Sequence, residues 1–393
     1  MINFSRIDLL NVANILNLVA PKNENSPTLE HAFFAALNGR GTIAATNLDM
    51  SVICNVAAVG DGTALLPVRK LQSLAKSAPQ SGDNVKLVPG DGLTAVDFGR
   101  ARYDLPALPV ADFPALVELV GDTETEFTVA GQDLHNLFDR ISGAISTEET
   151  RYYLNGIFMH SNAGALHLVA TDGHRLYHSP MANTGFSGMA FANNGNETGI
   201  IIPLMTVKLL LKMLAGKNKP DLVTITIPTR GNAIRFSWQT PDMGLTVTSK
   251  TIDGTFPDWR RVVPATKNFT GNFAVRSDTL AETIKAAGLL KPEKQAAVHL
   301  SIADTGRGLA TAASENGTSS IEFPTVSATF SGFNQKHPEN IGIALSDVYM
   351  LAAIEAVSAD ISAIDFTDAG TAIVISGHNT ADQFQAVVMP RRR

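Results

Sequence analysis

The sequence of 393 residues has one cysteine, few charged residues and no long apolar run. The single cysteine, Cys54, cannot form an internal disulfide, and its place in the apolar run SVICNV predicts a buried, reduced thiol. No apolar run approaches the ~20 residues that a membrane-spanning helix needs, so we expect no membrane partner. The first residues also lack the basic start, the apolar core and the small-residue cleavage site of a signal peptide, which predicts a cytoplasmic protein.

Positive charge is also in short supply. Lys and Arg together number 31 against 37 Asp and Glu, which gives a formal net charge of −6. A protein that holds nucleic acid by bulk electrostatics must neutralise many phosphates with basic side chains. If this chain binds DNA, something other than attraction must retain it. The spacing of His, Cys, Asp and Glu is not typical of a metal site, and we expect neither a metal nor a cofactor.

What the sequence does contain is an internal repeat. Three segments each combine a short alternating strand with a helical apolar pattern: INFSRIDLLNVANIL from Ile2, FTVAGQDLHNLFDRI from Phe127 and FAVRSDTLAETIKAA from Phe273. Leucine recurs seven residues after each start, at Leu9, Leu134 and Leu280. An Asp lies where each helix should begin, just before it (Asp8, Asp133) or in its cap region (Asp278).

A second strand-and-helix unit follows in every repeat. Its copies are LPVRKLQSLAKSAP from Leu66, IPLMTVKLLLKMLAG from Ile202 and IALSDVYMLAAIEAV from Ile343. Apolar residues lie five residues on, at Leu71, Val207 and Val348, and eight residues on, at Leu74, Leu210 and Leu351. This spacing predicts one apolar helix face in each copy, and therefore six strand-and-helix units in the chain.

Alternating strands with a turn lie between the two helices of each repeat. The turns are predicted near Asn47 and Leu48, at Asp172 and Gly173, and at Asn316 and Gly317. Asp-Gly and Asn-Gly favour two-residue hairpins because both central positions need φ > 0. The stretch LVATDGHRLYH is therefore first a hairpin, and this geometry leaves His174 and Arg175 unexplained.

Polar clusters and prolines separate the repeats, at LVGDTETE (119–126) and VVPATKNFTGN (262–272). Residues 182–198 are predicted to form a long flexible loop inside the second repeat. The predicted domains are 1–122, 126–264 and 268–393.

Strands of alternating polarity with helices on one side predict an α+β fold, with sheets on the outside of a layer and helices beneath. If helices spaced ~9 Å apart line a closed ring, six of them leave no room for a duplex. Twelve leave an opening of at least ~24 Å, which is enough for a double helix of roughly 20 Å. Two copies joined head to tail supply twelve helices, and a closed ring stays on DNA without tight phosphate contacts.

Longer motifs resemble one known family. They are LPVRKL (66–71), GRARYDLPALPVADFP (99–114), RYYLNG (151–156), VATDGHRL (169–176), TSKTIDGTFPDWRRVVP (248–264) and VVMP (387–390). The chain resembles the bacterial DNA polymerase III beta subunit, the sliding clamp, over essentially its whole length. The resemblance implies the DNA-clamp fold and a homodimeric ring that encircles double-stranded DNA without reading its sequence. It also implies a processivity subunit of a DNA-directed DNA polymerase (nucleotidyltransferase) holoenzyme, with a clamp loader, the DNA polymerase III alpha subunit and other polymerases or repair proteins as partners.

The same resemblance implies two sets of site residues. A pocket for the partners' short linear motifs would lie between the second and third repeats and use Leu154, Thr171, Gly173, His174, Arg175, Leu176, Pro257, Arg261, Val262, Val387, Val388 and Met389. DNA contacts would come from Tyr152 and Tyr153, with Arg69 and Arg151 as weaker basic candidates. Aromatic rings stack on bases without sequence preference, and apolar slots accept Leu or Phe anchors. The alternatives are that the apolar residues are plain core and that the two tyrosines cover a strand edge.

Two other functions compete with this interpretation. Asp172, His174 and Arg175 suggest an acid/base cluster, but neighbours along a hairpin strand alternate faces, and we expect no catalytic site. A specialised or resistance copy of the clamp, with altered partner or DNA binding, is the second alternative. It is motivated by Ser26, Leu204 and Met205 at positions where the family is often basic, and by the ending Arg391-Arg392-Arg393.

Overall fold

A computed structural model describes residues 1–22, 26–79, 83–120, 124–162, 165–181, 199–215, 219–228, 232–290, 297–303, 307–315, 317–330 and 342–391. The predicted loop at 182–198, the turn residue Asn316 and the last two arginines lie outside these residues. The chain divides into two compact units, which are described separately. Unit 1 is Met1–Asn136 with Asn183–Asp253, and unit 2 is Leu137–Ala182 with Gly254–Arg393.

Strands and helices follow one another in short segments. The helices are α1 (Arg6–Leu16), α2 (Val68–Ser77), α3 (Gly131–Ser142), α4 (Leu204–Leu214), α5 (Ser277–Ala287) and α6 (Asp347–Val357). The strands of the first half are β1 (Ile2–Ser5), β2 (His31–Leu37), β3 (Arg40–Thr46), β4 (Met50–Val59), β5 (Gly62–Pro67), β6 (Asn84–Pro89), β7 (Leu93–Phe98), β8 (Ala101–Pro106), β9 (Glu124–Ala130), β10 (Gly156–Asn162), β11 (Ala165–Thr171) and β12 (Arg175–Met181). The remaining strands are β13 (Gly199–Pro203), β14 (Leu222–Pro228), β15 (Ala233–Gln239), β16 (Gly244–Lys250), β17 (Gly271–Arg276), β18 (Val298–Ile302), β19 (Arg307–Ser314), β20 (Gly317–Pro324), β21 (Ser327–Phe330), β22 (Ile343–Leu345), β23 (Ile361–Phe366), β24 (Ile373–Gly377) and β25 (Gln385–Val388).

Unit 1 contains one large antiparallel sheet. Its strands run in the order β8-β7-β6-β1-β4-β16-β15-β14-β9, with β2, β3 and β5 attached through β4. The pairing of β4 with β16 joins strands that are far apart in the sequence, with Ser51 opposite Thr248 and Met50 opposite Ser249. Buried aromatic rings, including Phe4 and Phe34 in edge contact at 6.1 Å, fill the space under the sheet.

Unit 2 contains two antiparallel sheets. The order β10-β11-β12-β25-β24-β23-β17-β21 forms one antiparallel sheet, and β20-β19-β18-β22 forms another. Here the long-range pairing is between β12 and β25, with Leu176 opposite Val387 and Arg175 opposite Val388. The largest fully buried side chains of this unit include Tyr177, Phe366 and Phe384.

The six predicted strand-and-helix units are confirmed. Leu9, Leu134 and Leu280 are all at most 1% exposed, which agrees with the shared apolar position of the first unit in each repeat. The predicted buried thiol is also confirmed, because Cys54 has no exposed surface and burial raises its pKa to about 12.

Two details of the helix predictions are wrong. Asp8 and Asp133 do not precede their helices but lie in the first turn, and Ser5 caps α1 by accepting a hydrogen bond from the Asp8 N–H at 3.4 Å. Carboxylates in the first turn still interact favourably with the helix dipole. An Asp therefore marks the N-terminus of each helix, but it lies inside the first turn rather than before it.

The predicted register of the third repeat is the other error. Val348 was expected on the buried face of α6 but is 60% exposed, whereas Met350 is 1% exposed. The strand β22 ends at Leu345 and α6 begins at Asp347, so Leu345 rather than Ile343 corresponds to Leu66 and Ile202. The core position five residues on is then Met350.

Candidate functional site

The turn between β11 and β12 carries the residues that the sequence singled out. The side chain of Thr171 donates to the Arg175 carbonyl at 2.7 Å and accepts from the Gly173 N–H at 3.1 Å. The Asp172 carboxylate accepts from the N–H groups of His174 and Arg175 at 2.9 and 3.0 Å. These side-chain bonds hold the turn from within.

The predicted position of Asp172 in this turn is wrong. The Asp172 N–H donates to the Arg175 carbonyl, which makes Gly173 and His174 the central pair. Gly173 has φ of 89°, and no other residue of the turn has positive φ. An added Cβ at Gly173 would lie 2.6 Å from Nη1 of Arg151, at the end of a flexible side chain that can move away, so the positive φ is the reason that the position favours glycine.

Arg175 is held by charge and by aromatic contact. Its Nε lies 3.1 Å from the Asp172 carboxylate, and both side chains are less than one fifth exposed. Its guanidinium carbon is 4.9 Å from the ring centre of Tyr349, which also stacks on His174 at 5.8 Å. Ionic and cation–π contacts together fix the direction of this long side chain.

Beside this turn lies a cavity of about 280 Å³, which we call the apolar groove. Its lining residues are Arg151, Tyr153, Leu154, Thr171, Gly173, Arg175, Leu176, Pro257, Asp258, Trp259, Val262, Val387 and Met389. All of them belong to unit 2. They come from the 3₁₀ helix Glu149–Leu154, from the end of β11 through the turn to the start of β12, from residues 257–262 around the 3₁₀ helix Trp259–Arg261, and from residues 387–389 at the end of β25.

Buried and exposed residues share the lining. Leu154, Leu176 and Val387 are at most 4% exposed and form an apolar floor, whereas Val262 is 46% and Met389 39% exposed. Burying such exposed apolar side chains under a ligand is favourable at ~25 cal/mol per Å². The groove is therefore suited to an apolar anchor.

Three residues predicted for the pocket do not line it. His174 stacks on Tyr349, Val388 has no exposed surface, and Arg261 is exposed and pairs with Asp258 at 2.9 Å. In the pairing of β12 with β25, Val388 lies opposite Arg175 and Val387 lies opposite Leu176. Side chains of successive strand residues point to opposite faces of the sheet. Val387 and Met389 share one face and line the groove, whereas Val388 lies on the other face; Arg175, although opposite Val388, also lines the groove.

The structure adds two lining residues that the sequence prediction missed, Asp258 and Trp259. Both lie in the segment FPDWRRV, between predicted residues Pro257 and Val262. The 3₁₀ turn brings Trp259 to 7% exposure, and a proline followed by an aromatic residue near a predicted slot was the available signal.

The predicted DNA contacts lie in different places. Tyr153 and Arg151 line the apolar groove, and Arg151 pairs with Glu148 at 2.8 Å. Tyr152 is 53% exposed and meets Tyr153 edge to face at 5.9 Å. Arg69 is exposed on α2 in unit 1. The residues described carry no evidence for DNA contact, and this assignment stays a prediction.

Below Trp259 lies a row of stacked imidazoles that the sequence did not suggest. His178 stacks on Trp259 at 4.5 Å and on His167 at 5.2 Å, and His167 stacks on His160 at 5.3 Å. Trp259 donates through Nε1 to Nε2 of His160 at 3.2 Å. Burial, followed by the nearby His167, His160 and Arg260, lowers the pKa of His178 to about 3. The histidine row thus packs beneath Trp259, which lines the groove.

Other kinds of site find no support within the described residues. No group of three or more His, Cys, Asp or Glu side chains there is placed to hold a metal ion. In the same part of the chain, no helix has the length and apolar character needed to span a membrane.

Comparison with known proteins identifies the family. The family model of the DNA polymerase III beta subunit, N-terminal domain, matches residues 2–117, and that of the central domain matches residues 128–258. The chain belongs to the bacterial DNA polymerase III beta subunit family. The beta sliding clamp of Escherichia coli K12 is 28% identical over 371 residues, covering 93% of this chain and 92% of the relative. That of Caulobacter vibrioides is 29% identical over 309 residues, covering 77% and 78%.

Solved structures of beta subunits agree over the whole length. The subunit from Pseudomonas aeruginosa is 25% identical with a TM-score of 0.84, and both chains are covered completely. The one from Caulobacter crescentus is 28% identical, with the same TM-score and full coverage of both chains. The clamp of Bartonella birtlesii, solved bound to griselimycin, is 27% identical with a TM-score of 0.84, covering 100% of this chain and 99% of that one.

Membership of the beta subunit family decides the broad function. The chain is a DNA sliding clamp, a processivity factor in DNA replication that does not itself catalyse polymerisation. The predicted clamp fold is confirmed. Nothing in these comparisons favours the alternative of a specialised or resistance copy.

Proposed function

We propose that two copies of this chain close into a ring around duplex DNA, and that the apolar groove tethers polymerases and other partners to that ring. The tethered partners would include the DNA polymerase III alpha subunit and a clamp loader. In this role the chain is the processivity subunit of a nucleotidyltransferase holoenzyme. Its partners would be captured through short linear motifs.

The observation that carries the tethering role is the convergence of predicted pocket residues on one cavity. Nine of the twelve, drawn from four separate stretches of sequence, line the apolar groove. If the apolar residues among them only packed the core, all of them would be buried and no cavity would open beside them. Instead, Val262 and Met389 present exposed apolar surface beside a buried floor. That arrangement suits an anchor such as Leu or Phe, which contributes most of its binding energy from one desolvated pocket.

Charges at the groove suit the flank of such a motif. Arg151 and Arg175 both line it, and each is already directed by a carboxylate, Glu148 and Asp172 respectively. A guanidinium held in place loses little freedom on binding a partner's carbonyl or carboxylate. We therefore expect the partner segment to place hydrogen-bond acceptors beside its apolar anchor.

The ring itself rests on the repeat. Six helices lie at equivalent places in the described chain, and only twelve leave an opening wide enough for a duplex of roughly 20 Å. The net charge of −6 suits retention by topology rather than by phosphate contacts. Contacts to DNA by Tyr152, Tyr153, Arg69 and Arg151 remain part of this proposal.

Run-off from cut DNA tests the ring. The purified chain, a clamp loader and ATP are combined with nicked circular DNA, and the protein retained is measured before and after the circle is linearised. We expect retention on the circle and loss within minutes after cutting. Equal retention on circular and linear DNA, or a solution mass of one chain at micromolar concentration, would contradict the proposal.

Peptide binding tests the groove separately. A fluorescent peptide with a Leu-Phe anchor is titrated with the intact chain, and anisotropy gives the Kd. Met389→Ala removes exposed apolar contact and is expected to weaken binding about tenfold. The control is Lys250→Ala, at the equivalent place in unit 1, which is expected to leave the Kd unchanged. A Met389→Ala variant that binds as tightly as the control would show that the peptide lies elsewhere.

A further inference from the structure

Unit 1 contains a second cavity, of about 240 Å³, between α1, α4 and the end of the β15–β16 hairpin. We call it the α1–α4 groove. Its lining residues are Asn11, Asn14, Ile15, Leu18, Lys212, Met213, Trp238, Thr240, Asp242, Met243 and Leu245. None of the residues predicted for partner or DNA binding lines it.

The repeat shows what occupies the equivalent place in unit 2. Leu9 in α1 corresponds to Leu134 in α3, so Ile15 corresponds to Arg140. Arg140 donates to the carbonyl of Ala356 from Nε at 2.5 Å, and to that of Val357 from Nη2 at 3.0 Å. These carbonyls belong to the last turn of α6, where helix carbonyls lack partners within the helix.

Two further contacts complete the seat of Arg140. Its Nη2 lies 2.7 Å from the Asp382 carboxylate, and its guanidinium carbon lies 4.0 Å from the ring centre of Phe384. Unit 2 thus fills the space between helix end and hairpin with an arginine from its own chain. The guanidinium is bound by carbonyls, a carboxylate and an aromatic face, the combination that suits arginine.

In unit 1 similar groups surround the equivalent position, but Ile15 stands there in place of the arginine. Ile15 is too short to reach across, and the residues that correspond to Ala356 and Phe384 are Met213 and Leu245, both of which line the open groove. An aromatic side chain is still present, because Trp238 stands beside Leu245 in the β15–β16 pairing. The residue that corresponds to Asp382 is Met243, but the preceding residue, Asp242, supplies a carboxylate to the lining.

Charge in this region favours a cation. Asp242 is exposed, and its proximity adds to burial in raising the pKa of Asp8 on α1. The amide group of Asn11 adds a neutral acceptor, whereas the amide oxygen of Asn14 already accepts from Nε2 of Gln72 at 2.8 Å. Ile15, Leu18 and Met243 offer apolar surface for an aliphatic stem. The exposed Lys212 on the rim is the one opposing charge among the lining residues.

We propose that the α1–α4 groove binds an arginine side chain presented by a partner polypeptide. This second site differs in chemistry from the apolar groove of unit 2, because it selects a cation with an aliphatic stem rather than an apolar anchor. The partner's guanidinium would occupy in unit 1 the place that Arg140 of the same chain occupies in unit 2.

Methionine methyl signals report both grooves in one spectrum. The intact chain, labelled with ¹³C at its methionine methyl groups, is titrated with Nα-acetyl-arginine methylamide and, separately, with the citrulline analogue, which has the same shape without the charge. We expect the signals of Met213 and Met243 to shift with the arginine compound only, and that of Met389 to stay unchanged. Substitution of each methionine by Leu assigns the signals.

Variants of exposed side chains sharpen the test. Asp242→Asn is expected to weaken binding about fivefold, as for a partly exposed ion pair, and Lys212→Gln to strengthen it. Ile15→Arg should place a guanidinium in the groove from within, shift both methionine signals without added compound and abolish binding.

Several results would overturn the proposal. One is the absence of a shift at high millimolar arginine compound, and another is an equal shift with citrulline. A third is binding that Asp242→Asn leaves unchanged. Signals that move with protein concentration alone would instead assign the groove to a second copy of the chain. None of these outcomes bears on peptide binding at the apolar groove.

Discussion

Two turns lie at equivalent places in the repeat, one in unit 1 and one in unit 2. They have the same pattern of hydrogen bonds but different side chains at the surface. Thr46 and Thr171 each donate to a carbonyl four residues on, and each accepts from the N–H two residues on. The side chains of Asn47 and Asp172 then accept from the two N–H groups that follow Leu48 and Gly173. The turn geometry is thus encoded by a short polar pattern in both units.

The long-range strand pairing beside the turn is also the same. In unit 1 Ser51 lies opposite Thr248, and in unit 2 Leu176 lies opposite Val387. A backbone bond closes each pairing, from the N–H of Lys250 to the Asp49 carbonyl at 2.8 Å and from that of Met389 to the His174 carbonyl at 2.9 Å.

What differs is the side chains that this frame presents. In unit 1 the hydroxyl of Ser51 accepts from the N–H of Val117 at 2.8 Å, which holds the segment after β8 against the sheet. In unit 2 the equivalent Leu176 offers no acceptor, and the segment with Pro257 and Trp259 borders an open groove instead. The same turn and strand pairing thus accompany a hydrogen-bonded contact in unit 1 and an open, largely apolar cavity in unit 2.

The largest expected difference between the two units appears in acid. The positions of His160, His167 and His178 correspond to Ala35, Thr42 and Ile53 in unit 1, which do not titrate. The pKa of His178 lies near 3, below its unfolded value, so the unfolded chain binds the extra proton as pH falls below 6.5. His178 should therefore cost unit 2 stability as pH falls from 6.5 to 3, by up to about 5 kcal/mol, and its contribution should not grow below that window.

The two tryptophans make this measurable, since Trp238 reports on unit 1 and Trp259 on unit 2. Fluorescence of Trp238→Phe and Trp259→Phe variants is followed in urea at a series of pH values. The unit 2 midpoint should fall first. A unit 1 midpoint that falls equally would contradict the role assigned to the histidine row.

The next largest effect concerns Leu176, the floor of the groove. Leu176→Ser copies the unit 1 residue, removes a side chain that is 2% exposed and is expected to cost about 3 kcal/mol of unfolding free energy. Peptide binding should be lost as well. Urea denaturation and anisotropy measure the two effects, and Leu176→Met, which conserves volume, serves as the control that keeps most of both. Tight binding by Leu176→Ser would show that the apolar floor does not hold the anchor.

A smaller effect separates the turns themselves. Gly173→Ala introduces a Cβ at positive φ and against Arg151, and should cost about 1–2 kcal/mol. Leu48→Ala, at the equivalent turn position with φ of 76°, adds no new backbone strain and should cost less than about 0.5 kcal/mol. Thermal unfolding of both variants provides the comparison. Equal losses would contradict the backbone strain assigned to a side chain at position 173.

The sequence was sufficient for the elements and for most of the groove. Apolar periodicity located all six helices because tertiary packing and local pattern agree in each strand-and-helix unit. The register of α6 was predicted wrongly, because Ile343 and Leu345 are both apolar and periodicity alone does not choose between them. Asp172 was placed in the centre of its turn because Asp-Gly is a strong hairpin signal, whereas its side chain acts one position earlier.

The missed features are those that depend on distant segments. Trp259 reaches the groove because a 3₁₀ turn buries it against His160 and His178, which come from β10 and β12. The three histidines are spread over nineteen residues of sequence and form a row only when three strands pair. His174 and Val388 were included by motif, and strand alternation and the contact with Tyr349 take them away from the lining.

Photo-crosslinking tests most directly whether a partner peptide binds the apolar groove of unit 2 and not the equivalent surface of unit 1. A peptide with a diazirine-bearing leucine in the anchor position is irradiated with the intact chain, and the crosslinked residues are identified by mass spectrometry. Crosslinks are expected at the apolar groove, at Leu154, Leu176, Val262 or Met389. Crosslinks of equal yield around Ser51, Thr248 and Lys250 would contradict the proposal that the apolar side chains of unit 2 form the partner-binding groove.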